Sequence, residues 1–416
     1  MTDYQGLCLV QAPQTMRGTI ALPASKSISN RVLIIYALSD KTHRPTNLSI
    51  CDDTDVMLRA LDTMGPEIDI MAAGTAMRFL TAFLSITPGD YVITGTARMK
   101  QRPIHILVDA LRSIGADITY VEKEGYPPLK IHGQALQGNL LSINSQVSSQ
   151  YISALMMIAP CLPDGLNLQL EGELISKPYI ELTKAIMEEY GAKVEWTAAH
   201  TLRIHPTRYV SVAYRVESDW SAASYWFQMV ALTSDEEACI RLPLLCLPSL
   251  QGDHVGAELF QLLGVQATVD GDAIVLTKCQ RTVESLDRDF KEIPDLAQTF
   301  VVTCCLLNIP FRFTGLQTLK IKETDRIEAL IAEMRKLGYI VQQEDDSVLY
   351  WTGERCTADE APVIATYHDH RMAMAFAPAS LLIDNVHIAD MEVVTKSYPD
   401  YWEHLEEVGY NIQLKK

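Results

Sequence analysis

Apolar and polar positions along the chain repeat in a phrase that recurs six times. A stretch with apolar residues at helical spacing ends in a bulky residue, then Gly, then a β-like segment. The phrase occurs at LDTMG (Gly65), LRSIGADI (Gly115), MEEYGAKV (Gly191), FQLLGVQATV (Gly264), MRKLGYIV (Gly338) and LEEVGYNI (Gly409). Glycine just past a helix accepts the left-handed backbone that closes the last turn, so each phrase predicts a capped helix followed by a strand. A second phrase shares the period. Ala-rich helices, apolar on nearly every side, begin at Ser25, Ala73, Ser148, Ser218, Pro294 and Asp369. A helix without a polar face is a buried one. Each repeat, about 75 residues long, therefore supplies one buried helix, one amphipathic outer helix and strands such as DYVITGT and LNLQLEG. The first repeat is short. Six repeats exceed one hydrophobic core, so the pattern predicts an α/β protein of two similar lobes, three repeats each. The expected boundaries are 25–217 for the first lobe and 1–24 plus 218–416 for the second.

Composition narrows the classes. Of 416 residues, 48% are hydrophobic and 21% charged, which suits a folded soluble protein and excludes disorder. The 35 Lys and Arg against 52 Asp and Glu give a net charge of −17. Such a field repels nucleic acid and anionic membrane, so neither is an expected partner. Any anion site must gather its cations locally. The apolar stretches at 151–162 and 299–307 fall short of the roughly 20 residues that span a bilayer, and the N-terminus carries no export pattern. Nine scattered cysteines without a CxxC pair read as reduced thiols in a cytoplasm. There is no GxGxxG, P-loop, HExxH or GxSxG. His368 and His370, two apart, do not share a helix face, so neither metal nor cofactor is expected.

The candidate chemistry lies at helix starts. Lys26 and Arg31 fall in the first turns of the first buried helix. Lys322 and Arg326 are expected to open an outer helix on one face, and His370 and Arg371 to open the last buried one. Arg102 precedes Pro103, a good first helical residue. Cations at N-termini oppose the helix dipole, and repetition of that arrangement points to an anion in front of them. Ser27, Ser148, Ser149 and Ser176 stand at helix starts too, as caps or as neutral donors to a phosphate or polyol. Asp219, Asp295 and Glu323 are the acids at matching points. Asp295 reads equally as a helix cap. Glu323 stands between Lys322 and Arg326, which would hold it ionised unless it is buried, and is a candidate proton-transfer group.

The segments Leu22–Arg31, Ala73–Arg78, Arg98–Ile104, Ser148–Gln150, Ser176–Tyr179, Lys322–Arg326, Asp369–Met374 and Lys396–Tyr401 together resemble the EPSP synthase (3-phosphoshikimate 1-carboxyvinyltransferase) family, in order and over nearly the whole chain. The resemblance implies two lobes, each of three βαβαββ units, with helix N-termini facing an interdomain cleft. It implies transfer of the enolpyruvyl group of phosphoenolpyruvate to the 5-hydroxyl of shikimate 3-phosphate, by addition and elimination through a tetrahedral intermediate, with phosphate released. That step belongs to aromatic amino acid biosynthesis and needs no cofactor or metal. Carried over by position, Lys26, Ser27, Arg31, Ser148, Ser149, Ser176, Tyr179, Asp295, Thr318 and Lys322 would hold shikimate 3-phosphate. Lys26, Gly74, Arg102, Gln150, Arg326, Arg371 and Lys396 would hold phosphoenolpyruvate. Asp295 resembles the base at the 5-hydroxyl, Glu323 the acid and base at the methylene, and Lys26 shares in proton transfer. A cytoplasmic monomer is expected.

Departures from the family pattern are specific. Many members carry Asn where Ala72 stands and Pro where Phe79 stands, and a family Asn appears as Thr318. The first repeat lacks about 25 residues before Ala73, expected to be a pair of surface strands. The nearest alternative is the sister enolpyruvyl transferase that acts on UDP-N-acetylglucosamine, which typically carries a reactive Cys on a loop. Arg98–Arg102 has none. A non-catalytic anion binder is the other alternative, and it gains nothing from Asp295 and Glu323.

Overall fold

The computed structural model describes residues 6–144, 148–172, 174 and 176–415. The chain divides into two compact units, Ala24–Val216 and a second made of Met1–Pro23 with Glu217–Lys416. Each has its own apolar core.

The unit Ala24–Val216 contains helices α1 (Lys26–Leu38), α2 (Asp52–Thr63), α3 (Gly74–Ile86), α4 (His105–Ser113), α5 (Ser149–Ile158) and α6 (Lys177–Glu189). The Ala-rich helices α1, α3 and α5 pack on one another, and α3 is buried from Gly74 to Ser85. Two four-stranded sheets accompany them. One runs Glu67–Asp69, α3, Gly89–Thr94, α4, Asp117–Tyr120, Leu129–Gly133; the other runs Leu140–Asn144, α5, Leu166–Glu171, α6, Val194–Ala198, Thr201–Ile204. In each, the helical crossover makes the first two strands parallel, and the closing hairpin is antiparallel.

The other unit contains α7 (Trp220–Leu232), α8 (Gly256–Leu262), α9 (Ala297–Leu306), α10 (Arg326–Lys336), α11 (His370–Phe376) and α12 (Tyr401–Glu407), with three four-stranded sheets. The same βαβαββ order recurs, with two loans from the N-terminal segment. Arg17–Thr19 pairs in parallel with Cys239–Pro243. Leu7–Gln11 lies between His387–Ile388 and Asn411–Lys415, antiparallel to both. No described helix is long and apolar enough to cross a membrane.

Two expectations need correction. The short first repeat keeps α1 and α2 but has no sheet of its own among the described residues. Only an isolated parallel bridge, Thr46 to Arg215, stands in its place, so the loss is larger than one pair of strands. Five of the six repeat glycines are left-handed, with φ between 87° and 100°. Gly65 is not. There Met64 takes the left-handed turn (φ 39°), because Pro66 restricts the residue before it to extended backbone.

Candidate active site

Polar and basic residues gather in each unit at the starts of buried helices. In the unit Ala24–Val216, Ser25 caps α1, its Oγ accepting from Ile28 N at 3.5 Å. Lys26 is the first helical residue, and its Nζ lies 3.3 Å from Oδ2 of Asp53 at the start of α2. Arg31 follows, 2% exposed. Its Nε donates to Thr183 Oγ1 (2.7 Å), Nη2 to Ser153 Oγ (3.1 Å) and Nη1 to the Ser27 carbonyl (2.8 Å). The rings of Phe79 and Tyr179 flank it, 5.3 and 5.8 Å from the guanidinium carbon. No described carboxylate pairs with it. Burial pulls its pKa down to about 10, with Tyr179 acting the other way, so it remains a cation at neutral pH. A buried charge held only by neutral oxygens and rings is costly and favours an incoming anion.

Beside it, α3 begins at Gly74 without a side-chain cap. Arg78 Nη1 donates to the Gly74 carbonyl at 2.7 Å. A Cβ on Gly74 would sit 2.6 Å from Nη1 of both Arg102 and Arg78, so only Gly lets two guanidiniums close on this helix start. Gln150 Nε2 donates to Thr75 Oγ1 at 3.1 Å, and Ser148 caps α5 through Gln150 N at 3.3 Å. Ser149 is the first residue of α5. Ser176 precedes α6 with left-handed backbone (φ 57°) and makes no side-chain cap, contrary to the capping role; Tyr179 lies in the first turn behind it. Arg102 is also placed differently from expectation. Ile104 N bonds the Gly125 carbonyl, α4 starts only at His105, and Arg102 is extended.

In the other unit, Asp295 sits in the single turn Pro294–Leu296 before α9. It does not cap a helix. Its Oδ1 meets Lys322 Nζ and Arg326 Nη1, each at 3.2 Å, and its Oδ2 meets Arg371 Nη2 at 3.3 Å. Glu323 meets Arg326 Nη2 (3.0 Å) and Lys396 Nζ (3.2 Å). Arg326 is 1% exposed and anchored by Asp369, which accepts from its Nε at 2.7 Å and caps α11 through Arg371 N at 2.9 Å. Lys322 is not helical. Asp325 caps α10, taking the Ile327 and Glu328 amides at 3.1 and 3.2 Å, and the helix starts at Arg326. Asp219 likewise caps α7 through Ala222 N at 2.9 Å. Thr318 is buried in the turn Gln317–Ile321, and its hydroxyl has no hydrogen-bond partner.

Burial alone would raise the Asp295 carboxyl, but Arg371, Lys322 and Arg326 outweigh it and hold it well below the usual range. Burial would likewise lower Arg326, and Asp369, Glu323 and Asp295 more than reverse it. The result is a branched network of ion pairs in which two carboxylates, Asp295 and Glu323, join four cations through the shared Arg326. An anion that draws Arg371 and Lys322 away leaves the Asp295 carboxylate more basic. Sequence reasoning assigned no role to Asp53, Arg78, Ser153, Thr183 or Asp369. Arg78 and Asp369 lie inside segments already singled out; Asp53, Ser153 and Thr183 are tied to the site only by tertiary contacts.

Comparison with known proteins agrees with this architecture. The EPSP synthase (3-phosphoshikimate 1-carboxyvinyltransferase) family model matches residues 10–71 and 66–405, broken where the first repeat is short. A 3-phosphoshikimate 1-carboxyvinyltransferase of Bacteroides fragilis is 56% identical over 406 residues, 98% of each chain. One from Photobacterium damsela subsp. piscicida is 36% identical, covering 96% of this chain and 99% of its own. Among solved structures, EPSP synthase from Acinetobacter baumannii superposes with a TM-score of 0.79 at 21% identity, over 99% of this chain and 100% of that one, which establishes the fold. With its repeats, its helix-start cations and its full-length relatives in agreement, the chain belongs to the EPSP synthase family.

Proposed function

We propose that the protein transfers the enolpyruvyl group of phosphoenolpyruvate to the 5-hydroxyl of shikimate 3-phosphate and releases phosphate. The observation that carries this reading is the ion-pair network in which Asp295 and Glu323 join Lys322, Arg326, Arg371 and Lys396. Shikimate 3-phosphate engages Lys26, Ser27, Arg31, Ser148, Ser149, Ser176, Tyr179, Thr318 and Lys322. The buried cation of Arg31 and the unsatisfied hydroxyl of Thr318 support that placement. Phosphoenolpyruvate engages Lys26, Gly74, Arg102, Gln150, Arg326, Arg371 and Lys396, matching planar forks to its carboxylate and phosphate.

Both substrates are polyanions, and as they take up Arg371, Lys322 and Lys396 they loosen the hold on the two carboxylates. Asp295 then accepts the proton of the 5-hydroxyl as its oxygen attacks C2 of phosphoenolpyruvate. Glu323, once it has taken up a proton from solvent, supplies it with Lys26 to C3, giving a tetrahedral adduct with a methyl group. Elimination reverses the traffic: the methyl loses a proton to Glu323, the C–O bond to phosphate breaks, and the leaving phosphate takes the proton that Asp295 had accepted from the hydroxyl. Each group ends the cycle in its starting state. The family's reaction belongs to aromatic biosynthesis. Free thiols at all nine cysteines support a cytoplasmic setting, and one chain carries both sets of residues, so a monomer suffices.

A phosphate-release assay tests the reading. Turnover is expected with phosphoenolpyruvate plus shikimate 3-phosphate. Turnover only with UDP-N-acetylglucosamine assigns the sister activity, and none with either leaves an anion binder.

A further inference from the structure

Asp253 has no part in the chemistry above, yet it is wired to it. It lies in the turn Gly252–Val255 before α8, where the chain crosses the start of α7 and Gln251 Oε1 accepts from Trp220 N at 3.1 Å. The side chain is buried. Its Oδ2 accepts a hydrogen bond from the Ser221 hydroxyl, and Oδ1 has no hydrogen-bond partner among the described residues. The Ser221 oxygen faces Arg371 Nη2 at 3.4 Å, and Arg371 in turn meets Asp295 through Oδ2 (3.3 Å) and the backbone carbonyl (3.4 Å). A line of contacts therefore runs Asp253–Ser221–Arg371–Asp295.

The surroundings disfavour a second carboxylate charge at this point. Asp219 and Ser221 face it from α7, Asp295 from the turn before α9, and Arg371 from α11. On its own segment stand Gln251 and His254, whose Nδ1 is 2.6 Å from the Gln251 carbonyl. Two acids thus oppose one guanidinium that Asp295 already shares. A buried carboxylate oxygen without a donor is costly, and protonation removes the charge that makes it so. Burial above all, then Asp295, pushes the carboxyl up to about 7, with Ser221 and Arg371 offsetting only part.

We propose that Asp253 is a positioning residue that holds a proton when the anionic substrate is bound, so that Arg371 is shared between Asp295 and phosphoenolpyruvate alone. Ionised, Asp253 competes through Ser221 for Arg371 and weakens its grip on the substrate. Bound anions favour the protonated form, so substrate binding and proton uptake are linked. The inference rests on the proposed reaction, which places Arg371 against phosphoenolpyruvate.

The test is the pH dependence of kcat/KM for phosphoenolpyruvate in the wild type and in Asp253→Asn, the uncharged isostere. The ratio of wild type to variant should fall by roughly threefold or more between about pH 6.5 and 8.5, along one ionisation. A ratio that does not change with pH overturns the proposal, while wild-type turnover leaves the reaction itself standing. Carboxyl carbon NMR of wild-type protein labelled at aspartate gives a second reading that needs no variant. One aspartate should titrate near pH 7 and move higher with both substrates present. No aspartate titrating between about pH 6 and 8 overturns it as well.

Discussion

Arg31 and Arg326 are both buried guanidiniums, and they are satisfied in opposite ways. Arg326 meets the carboxylates of Asp369, Glu323 and Asp295; Arg31 meets hydroxyls, a carbonyl and two rings. Deleting one charge from a buried set and deleting a lone buried charge have different costs. Arg31→Met should leave the thermal midpoint of the free protein unchanged or higher, while weakening shikimate 3-phosphate about a hundredfold by calorimetry, some 3 kcal/mol. Arg326→Met should instead lower the midpoint, because it strands carboxylates. Asp295→Asn should reduce kcat by roughly a hundredfold or more and change the affinity for shikimate 3-phosphate only a few-fold. Equal losses would make Asp295 a binding group only. Asp253 gives a stability prediction of definite sign. Its folded carboxyl is raised to about 7, so the stability it contributes is intact below the unfolded value near 4 and is lost as pH rises toward 7. The midpoint of Asp253→Asn minus that of wild type should grow from about pH 4 to pH 7 and level off above it. At this scale residue types are legible in the chain but partners are not: Asp295 reads as a cap or as a catalytic acid until Lys322, Arg326 and Arg371 are placed around it.

Helices place these residues, and their buried bodies were legible because apolar residues on every face leave no other reading for α3, α7 and α9. Their first residues were less so. Arg102–Pro103 looked like a helix start, but the residue before a proline is held extended, and α4 begins at His105. Lys322 looked like part of α10, but Asp325 offers a better cap and puts Arg326 first. The displacement matters chemically. Lys322 reaches Asp295 from an irregular segment, while Arg326 is held by a helix and by Asp369. Asp369 does two jobs, capping α11 and anchoring Arg326, and they can be separated. Asp369→Asn keeps a good cap and removes the ion pair, while Glu323 and Asp295 still meet Arg326, so it should cost about 1.5–3 kcal/mol in urea unfolding. A cost below about 0.5 kcal/mol would show that Arg326 does not depend on the charge of Asp369.

Over the whole molecule, the repeat was legible and its exceptions were not. Periodicity exposes copies of a building block, but it does not say that Leu7–Gln11 completes the sheet of the last repeat, because that pairing joins opposite ends of the chain. Nor does it show that the first repeat has no sheet of its own among the described residues. Among the described residues the unit Ala24–Val216 borrows no strand from outside itself, and it has its own core, so a fragment of that span should unfold cooperatively in urea. A non-cooperative melt would show that it depends on the rest of the chain. The acidic balance of the chain, −17, sharpens the functional point, since Lys26, Lys322, Arg326, Arg371 and Lys396 are each gathered beside carboxylates. The most direct test is the mass of the product formed in deuterium oxide from phosphoenolpyruvate and shikimate 3-phosphate. Addition followed by elimination passes through a methyl group that has gained a solvent proton, so the product should carry deuterium in its vinyl methylene. A product with no deuterium there, or no product at all, would contradict the account.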